Sequence, residues 1–72
     1  MGENIKYFRK MKLMTQQDLA EKLGCSRLTI IKMEKDKVQE VGCKTLLKLA
    51  EIFGITMEEL MKEGSWRNYL SN

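Results

Sequence analysis

The sequence predicts an all-α fold, a compact bundle of five short helices in which the second and third form a helix-turn-helix. The chain of 72 residues contains no proline and is rich in Leu, Lys, Glu and Met, which favour helices. Apolar residues make up 43% of it and charged residues 32%, a balance typical of a folded domain. Apolar positions recur at helical spacing, and no segment shows the strict alternation of a strand.

The first two helices are marked by spacing and by capping residues. Apolar residues at helical spacing predict a first helix over residues 4–12. Thr15 is a candidate N-cap, and Asp18 follows three residues later in a carboxylate form of the capping box. The second helix is therefore predicted over residues 16–23, with Gly24 as the glycine that ends it.

The third helix follows after a very short connection. Only Cys25 separates Gly24 from Ser26, which is the next candidate N-cap, and the helix is predicted over residues 27–35. Two helices joined by a short turn that contains glycine are the signature of a helix-turn-helix.

The second half of the chain contains two more predicted helices. Residues 36–42 are polar and indicate a loop, with Val41 as a hydrophobic anchor. A fourth helix is predicted over residues 43–53, and a capping box at Thr56 opens a fifth that ends near Lys62.

We expect residues 1–64 to form one helix-turn-helix domain and residues 65–72 to form a C-terminal tail. The tail contains Trp66, Tyr69 and Leu70, which is more apolar surface than a chain terminus without packing contacts usually has. The tail is expected either to belong to a dimer interface or to fold back onto the core of its own chain, and the sequence leaves both open.

The third helix has two distinct faces when its residues are projected at helical spacing. Ile30 and Met33 lie on one side and are expected to face the core. The opposite side mixes basic and aliphatic residues, namely Arg27, Lys32, Lys35, Leu28 and Ile31. A surface that enters the DNA major groove uses both kinds, because Arg and Lys reach guanine O6 and N7 and aliphatic groups contact thymine methyls. Periodicity alone equally allows Leu28 and Ile31 to cover a neighbouring helix or a second subunit.

The charge is concentrated in the first half of the chain. Residues 1–37 hold nine Lys or Arg against five acidic residues, a net charge of +4, whereas residues 38–72 have a net charge of −1. Such a distribution fits nucleic-acid binding, but it also fits an ordinary solvated helical surface. No apolar run is long enough for a membrane span, so we expect a cytoplasmic protein that does not contact membranes.

Catalysis and cofactor binding are not indicated. The chain contains no histidine, so Cys25 and Cys43 have no evident base partner or zinc co-ligand. We expect both thiols to be reduced and partly buried. No motif for a metal, a nucleotide or another small-molecule ligand is present.

Over residues 4–61 the chain resembles the phage repressor/Cro-type (XRE-like) family of helix-turn-helix transcriptional regulators. The order and spacing of several short segments carry the resemblance: TQQDLAEKLGCSR at 15–27, TI at 29–30, ME at 33–34, KTLLKLA at 44–50 and GITMEEL at 54–60. The resemblance implies a lambda-repressor-like fold and a regulator, most simply a repressor. Such a protein binds an inverted repeat in double-stranded DNA as a homodimer, with the third helix in the major groove.

The resemblance also implies roles for individual residues. Residues expected to contact bases are Arg27, Leu28 and Lys32, and Ile31 is expected to contact either a base or a protein. Residues expected to contact phosphates are Gln16, Thr15, Ser26, Thr29, Lys35 and Lys37. Arg9 and Glu34 match a structural ion pair of the family. The expected dimer interface consists of Met57, Leu60, Met61, Trp66, Tyr69 and Leu70.

Two departures from the family pattern lie in turns. The family usually has glycine where Leu13 stands, and it usually has Asn-Gly where Lys35 and Asp36 stand. Aspartate tolerates the left-handed conformation less easily than glycine does. Two other functions stay open beside DNA reading: a protein-interaction module that kept the fold without the DNA surface, and an antitoxin that combines both activities.

Overall fold

A computed structural model describes residues 1–37 and 41–69 of the chain. The helices are α1 (Gly2–Met11), α2 (Gln16–Leu23), α3 (Arg27–Glu34), α4 (Cys43–Phe53), α5 (Met57–Met61) and a terminal 3₁₀ helix (Ser65–Tyr69). No strand occurs within the described ranges. The all-α prediction with five α-helices is confirmed. None of the helices in this part of the chain is long and apolar enough to cross a lipid bilayer.

The bounds of α2 and α4 agree with the sequence prediction, because the capping residues act as expected. Thr15 Oγ1 accepts the Asp18 N–H at 3.0 Å, and the Thr15 N–H donates to the Asp18 carboxylate at 2.9 Å. Gly24 ends α2 and Gly54 ends α4, with left-handed φ angles of +77° and +70°. The other helices differ from the prediction by one or two residues at their ends.

Among residues 1–37 and 41–69, two residues other than glycine adopt the left-handed conformation. Leu13, between α1 and α2, has a φ of +56°, and Asp36, after α3, has a φ of +55°. Leu13 thus adopts the conformation for which the family usually has glycine, and its side chain is 91% exposed. Most side chains disfavour this region by about 1–2 kcal/mol per residue, so the turn at Leu13 is strained, whereas aspartate tolerates it more easily.

All five α-helices contribute to one hydrophobic core. Its members are Ile5 and Phe8 of α1, Leu19 and Ala20 of α2, Ile30 and Met33 of α3, Leu46, Leu49 and Phe53 of α4, and Leu60 of α5. The projection of the third helix correctly predicted Ile30 and Met33 as its inner face. Val41, which was predicted as the hydrophobic anchor of the loop before α4, is partly buried and packs against this core.

The N-terminal end of α1 lies directly against the C-terminal end of α3. A Cβ atom at Gly2 would lie 2.4 Å from the carbonyl oxygen of Glu34, so only glycine fits between the two backbones. The Gly2 N–H donates to the Asp36 carboxylate at 2.9 Å. The end of α3 is therefore held in place by the first residues of the chain.

The described part of the tail, residues 65–69, folds back onto its own chain. The Trp66 ring lies 5.3 Å from the Tyr7 ring, and the Tyr69 ring packs edge-on against Phe8 at 5.1 Å. The Tyr69 hydroxyl donates to the carboxylate of Glu59 on α5. The tail thus closes over α1 and α5.

This packing corrects part of the expected dimer interface. Leu60 is completely buried in the core of its own chain, so it has no surface to offer a second subunit. Trp66 and Tyr69 are partly buried against the same core. Met57 is half-buried and Met61 is exposed. Leu70 lies outside the described residues.

Candidate nucleic-acid interface

Helices α2 and α3 form the helix-turn-helix, and they pack directly against each other. Gly24 turns the chain at the end of α2, and Ser26 starts α3 by accepting the Thr29 N–H at 3.2 Å. Because α3 buries Ile30 and Met33, its opposite face is presented outward. The packing of α3 on α2 sets the direction of that face.

The outward face of α3 combines cationic and aliphatic side chains. Arg27 and Lys32 are exposed, and Leu28 is exposed to 57%. Ile31 is half-buried, yet neither it nor Leu28 belongs to the core or to the described side chains that pack against it. In the described part of the chain, Leu28 and Ile31 therefore do not pack into the hydrophobic core.

An ion pair behind this face ties α1 to α3. Arg9 Nε lies 2.6 Å from a Glu34 carboxylate oxygen, and the two side chains are only 9% and 4% exposed. Arg9 also donates to the carbonyl oxygen of Met14 at 2.8 Å, in the connection between α1 and α2. The guanidinium thus has partners on both sides, which a buried charge requires.

Gln16 belongs to the same network. Its Nε2 donates to Glu34 Oε1 at 3.2 Å, so the carboxylate accepts from side chains of both α1 and α2. A side-chain amide has two N–H donors, and this contact uses one of them. The sequence assigned Gln16 to phosphate contact only and gave no signal of the bond to Glu34, which depends on how two helices meet.

The N-terminal end of α2 opens into a shallow groove. Its lining residues are Arg9, Met14, Thr15, Gln16, Gln17 and Arg27. The first hydrogen bond of α2 runs from the Leu19 N–H to the Thr15 carbonyl oxygen at 3.1 Å, so the N–H groups of Gln16 and Gln17 precede it. Free N–H groups at a helix N-terminus favour anions such as phosphate. Met14 and Gln17 are lining residues that the sequence did not indicate.

The remaining candidate residues lie at the two ends of α3. The hydroxyl oxygens of Ser26 and Thr29 lie 3.0 Å apart, so they are hydrogen-bonded to each other. Lys35 and Lys37 are exposed beyond the end of α3. The structure thus places Thr15, Gln16 and Arg27 at one groove, and it places Lys35 and Lys37 at the other end of α3.

Both cysteines are free thiols, as predicted. Cys25, in the turn before α3, is half-buried, and its burial raises the pKa of the thiol. Cys43 is exposed at the start of α4, so the prediction of partial burial is correct for Cys25 and wrong for Cys43.

The amino-acid sequence is similar to those of known helix-turn-helix proteins. Residues 5–60 match the family model described as helix-turn-helix. The chain is 43% identical over 60 residues to an HTH-type transcriptional regulator of Methanocaldococcus jannaschii, covering 83% of this chain and 89% of that protein. It is 37% identical over 61 residues to the HTH-type transcriptional regulator YqaE of Bacillus subtilis, covering 85% of this chain and 52% of that protein.

The architecture also resembles a solved structure, the SinR protein/SinI protein complex. The superposition has a TM-score of 0.78 and covers 96% of this chain and 73% of that chain. The sequence identity is 23%, so this likeness supports the fold and not a shared partner.

Proposed function

Because the chain belongs to the Cro/C1-type (XRE-like) helix-turn-helix family of transcriptional regulators, we propose that it acts as a sequence-specific repressor. In this proposal it binds an inverted repeat in double-stranded DNA as a homodimer. The family consists of DNA-binding regulators and not of enzymes.

The outward face of α3 is the observation that carries the proposal. Helix α3 exposes Arg27, Leu28 and Lys32 together, while its other side is buried in the core. Cationic side chains reach guanine acceptors, and aliphatic ones contact methyl groups, so this face can read bases directly. Ile31 borders the same surface and belongs with the base contacts in this proposal.

The groove at the start of α2 is proposed to hold a backbone phosphate. The free N–H groups of Gln16 and Gln17 and the second N–H of the Gln16 amide are donors suited to a phosphate oxygen. Hydroxyl groups are supplied by Thr15 at the start of α2 and by Ser26 at the start of α3. Thr29, Lys35 and Lys37 are proposed as further phosphate contacts, which add affinity but carry no sequence information.

Dimerisation is proposed because one recognition helix reads too few base pairs for a unique site. Proteins of this type pair across a two-fold axis, which matches the symmetry of an inverted repeat. On α5, Met57 and Met61 retain exposed surface for such a contact, whereas Leu60 does not.

The test is selection of bound duplexes from a random DNA pool, followed by binding assays on the selected site. Lys32→Ala is expected to relax the preference at one base position per half-site by about 1–3 kcal/mol. Lys48→Ala is the matched control, because Lys48 is an exposed lysine on α4, outside the helix-turn-helix. If Lys32→Ala leaves the preferred sequence unchanged, α3 does not read DNA in the proposed way.

Protein binding is the second candidate, and exposed Leu28 favours it. The SinR relative in fold was solved in a complex with a protein, SinI. If selection recovers only a weak, salt-sensitive background without a shared sequence, this candidate replaces DNA reading.

A further inference from the structure

We infer that a groove beside the connection between α1 and α2 is a docking surface for a protein partner, which presents an acidic segment with apolar side chains. This α1–α2 groove is lined by Lys12, Met14, Lys22 and Ile52. Leu13 stands between the first two of these residues in the chain. None of the five belongs to the outward face of α3, so the inference goes beyond DNA reading.

The backbone of Leu13 is the first observation that points to a partner. Its φ of +56° lies in the left-handed region, which is unfavourable for leucine. Its side chain is 91% exposed and is not among the described side chains that pack against the core. Strained residues of this kind cluster at sites of function, and an exposed leucine can act only by contact with another molecule. The conformation and exposure of Leu13 therefore indicate a binding surface.

The residues around Leu13 extend its apolar surface. Met11 lies two residues earlier and is 50% exposed. Met14 and Ile52 are only partly buried, and both line the groove. The groove has a volume of about 450 Å³, within the range of about 300–1,000 Å³ that is usual for ligand clefts. Single exposed apolar residues are ordinary, but several of them at one groove with a charged rim are typical of a protein-binding site.

The charged residues of the groove define the chemistry of the partner. Lys12 and Lys22 are exposed, and none of the four lining residues is acidic. The ion pairs found within residues 1–37 and 41–69 use neither lysine. An acidic segment would supply carboxylates to these two ammonium groups, while its apolar side chains would cover the exposed apolar surface.

Two other occupants match the groove less well. The DNA backbone would pair with Lys12 and Lys22, but phosphate contacts make no use of the apolar residues beside them. A second copy of the chain, related by a two-fold axis, would present the same face, so that lysines would meet lysines. A protein segment with both carboxylates and apolar side chains matches both features of the groove.

The test uses short random peptides displayed on phage as the probe and the full chain as the target. We expect the selected peptides to combine acidic and apolar residues, and their affinity to fall as salt screens the charges. Leu13→Gly should weaken binding of a selected peptide about tenfold, because a leucine is lost from the interface. The same substitution relieves the strained backbone, so weaker binding by this variant does not arise from unfolding.

Lys22→Glu tests the charge of the groove. Reversal of this charge should weaken binding of the same peptide about tenfold at low salt and less at high salt. Leu47→Ala and Lys48→Glu are the matched controls, because both residues are exposed on α4 and do not line the groove. Both control variants should bind the peptide as the parent protein does.

The inference is overturned if no peptide is enriched, if the enriched peptides lack acidic residues, or if Leu13→Gly and Lys22→Glu bind them like the parent protein. A weaker salt dependence of DNA binding in Lys22→Ala would instead assign the groove to phosphate. A shift of Leu13→Gly toward the monomer in solution mass would assign it to a second copy. The peptide assay contains no DNA, so its outcome is independent of whether α3 reads DNA.

Discussion

The carboxylate of Glu34 on α3 accepts hydrogen bonds from Arg9 on α1 and from Gln16 on α2. Both members of the Arg9–Glu34 pair are almost fully buried, so removal of one would leave the other as an unpaired charge. Such a loss is typically destabilising by about 3–5 kcal/mol. Glu34 therefore holds α3 in position against α1 and α2.

The sequence predicted the Arg9–Glu34 pair through family resemblance, but it did not predict the third partner. The bond from Gln16 depends on the distance between two helices that meet only in the folded chain. The structure thus shows an internal hydrogen bond for a residue that the sequence predicted only as a phosphate ligand.

Leu13→Gly is expected to stabilise the protein. The left-handed φ of +56° at Leu13 is strained for a side chain by about 1–2 kcal/mol, and the exposed leucine contributes no core contact. Glycine relieves this strain but gains chain entropy on unfolding, which offsets about 0.5–1 kcal/mol. We expect the free energy of unfolding to rise by about 0.5 kcal/mol, measured by urea denaturation.

Met11→Gly is the control for Leu13→Gly. Met11 is a half-exposed residue at the end of α1, and it is not among the residues with positive φ. Glycine there has no strain to relieve, so stability should fall by about 1 kcal/mol. Equal destabilisation by both substitutions would show that the turn at Leu13 is not strained.

At the scale of the helices, local signals predicted α2 and α4 to the residue. Thr15 supplies a side-chain cap at the start of α2, and glycines end both helices in the left-handed conformation. The prediction was weaker for α1, where no side chain caps the N-terminus. The start of α1 at Gly2 depends instead on its fit against the end of α3, which is a tertiary contact.

The capping box of α2 makes part of the stability pH-dependent. The backbone N–H of Thr15 donates to the Asp18 carboxylate, and hydrogen bonding to Thr15 lowers the pKa of that carboxyl below the ordinary value of 3.8. The contribution is therefore fully present above that value and is lost as the pH falls through the lowered pKa. Asp18→Asn should reduce stability at neutral pH, and its difference from the parent protein should shrink as the pH falls below the ordinary value of 3.8 and through the lowered pKa.

Urea denaturation of both proteins over a pH series measures this effect. Glu63→Gln is a suitable control, because Glu63 is an exposed carboxylate after the end of α5. A difference between Asp18→Asn and the parent that stays constant down to acid pH would contradict a role for the ionised carboxylate in the cap.

At the scale of the whole molecule, the docked tail decides which apolar residues remain available to a partner. The sequence could not separate a tail that dimerises from one that folds back, because Trp66 and Tyr69 provide the same apolar surface in both cases. Only the three-dimensional arrangement brings Tyr7 and Phe8 of α1 next to them. The fold of residues 1–64 was therefore predictable in outline, and the role of the tail was not.

Trp66→Ala is expected to lower stability and not to dissociate a dimer. Large-to-small substitution of a fully buried tryptophan is destabilising by about 3–5 kcal/mol, and the partial exposure of Trp66 reduces the effect to about 2 kcal/mol. For a chain of this size the melting temperature should fall by roughly 8–16 °C. Thermal denaturation and solution mass are measured on the same sample.

Met61→Glu tests the dimer contact separately from folding, because Met61 is 52% exposed on α5. It should leave the melting temperature nearly unchanged and, if α5 contributes to the dimer, shift the solution mass toward the monomer. A folded, monomeric Trp66→Ala protein with an unchanged melting temperature would instead assign the tail to the interface between subunits.

Trp66 is also the single tryptophan of the chain, and its indole N–H is buried against α1. Indole fluorescence shifts to longer wavelength when the ring enters water, so this emission reports whether the tail is docked. Far-ultraviolet circular dichroism reports the helices independently. The protein thus carries an intrinsic optical probe that can distinguish release of the tail from global unfolding without any added label.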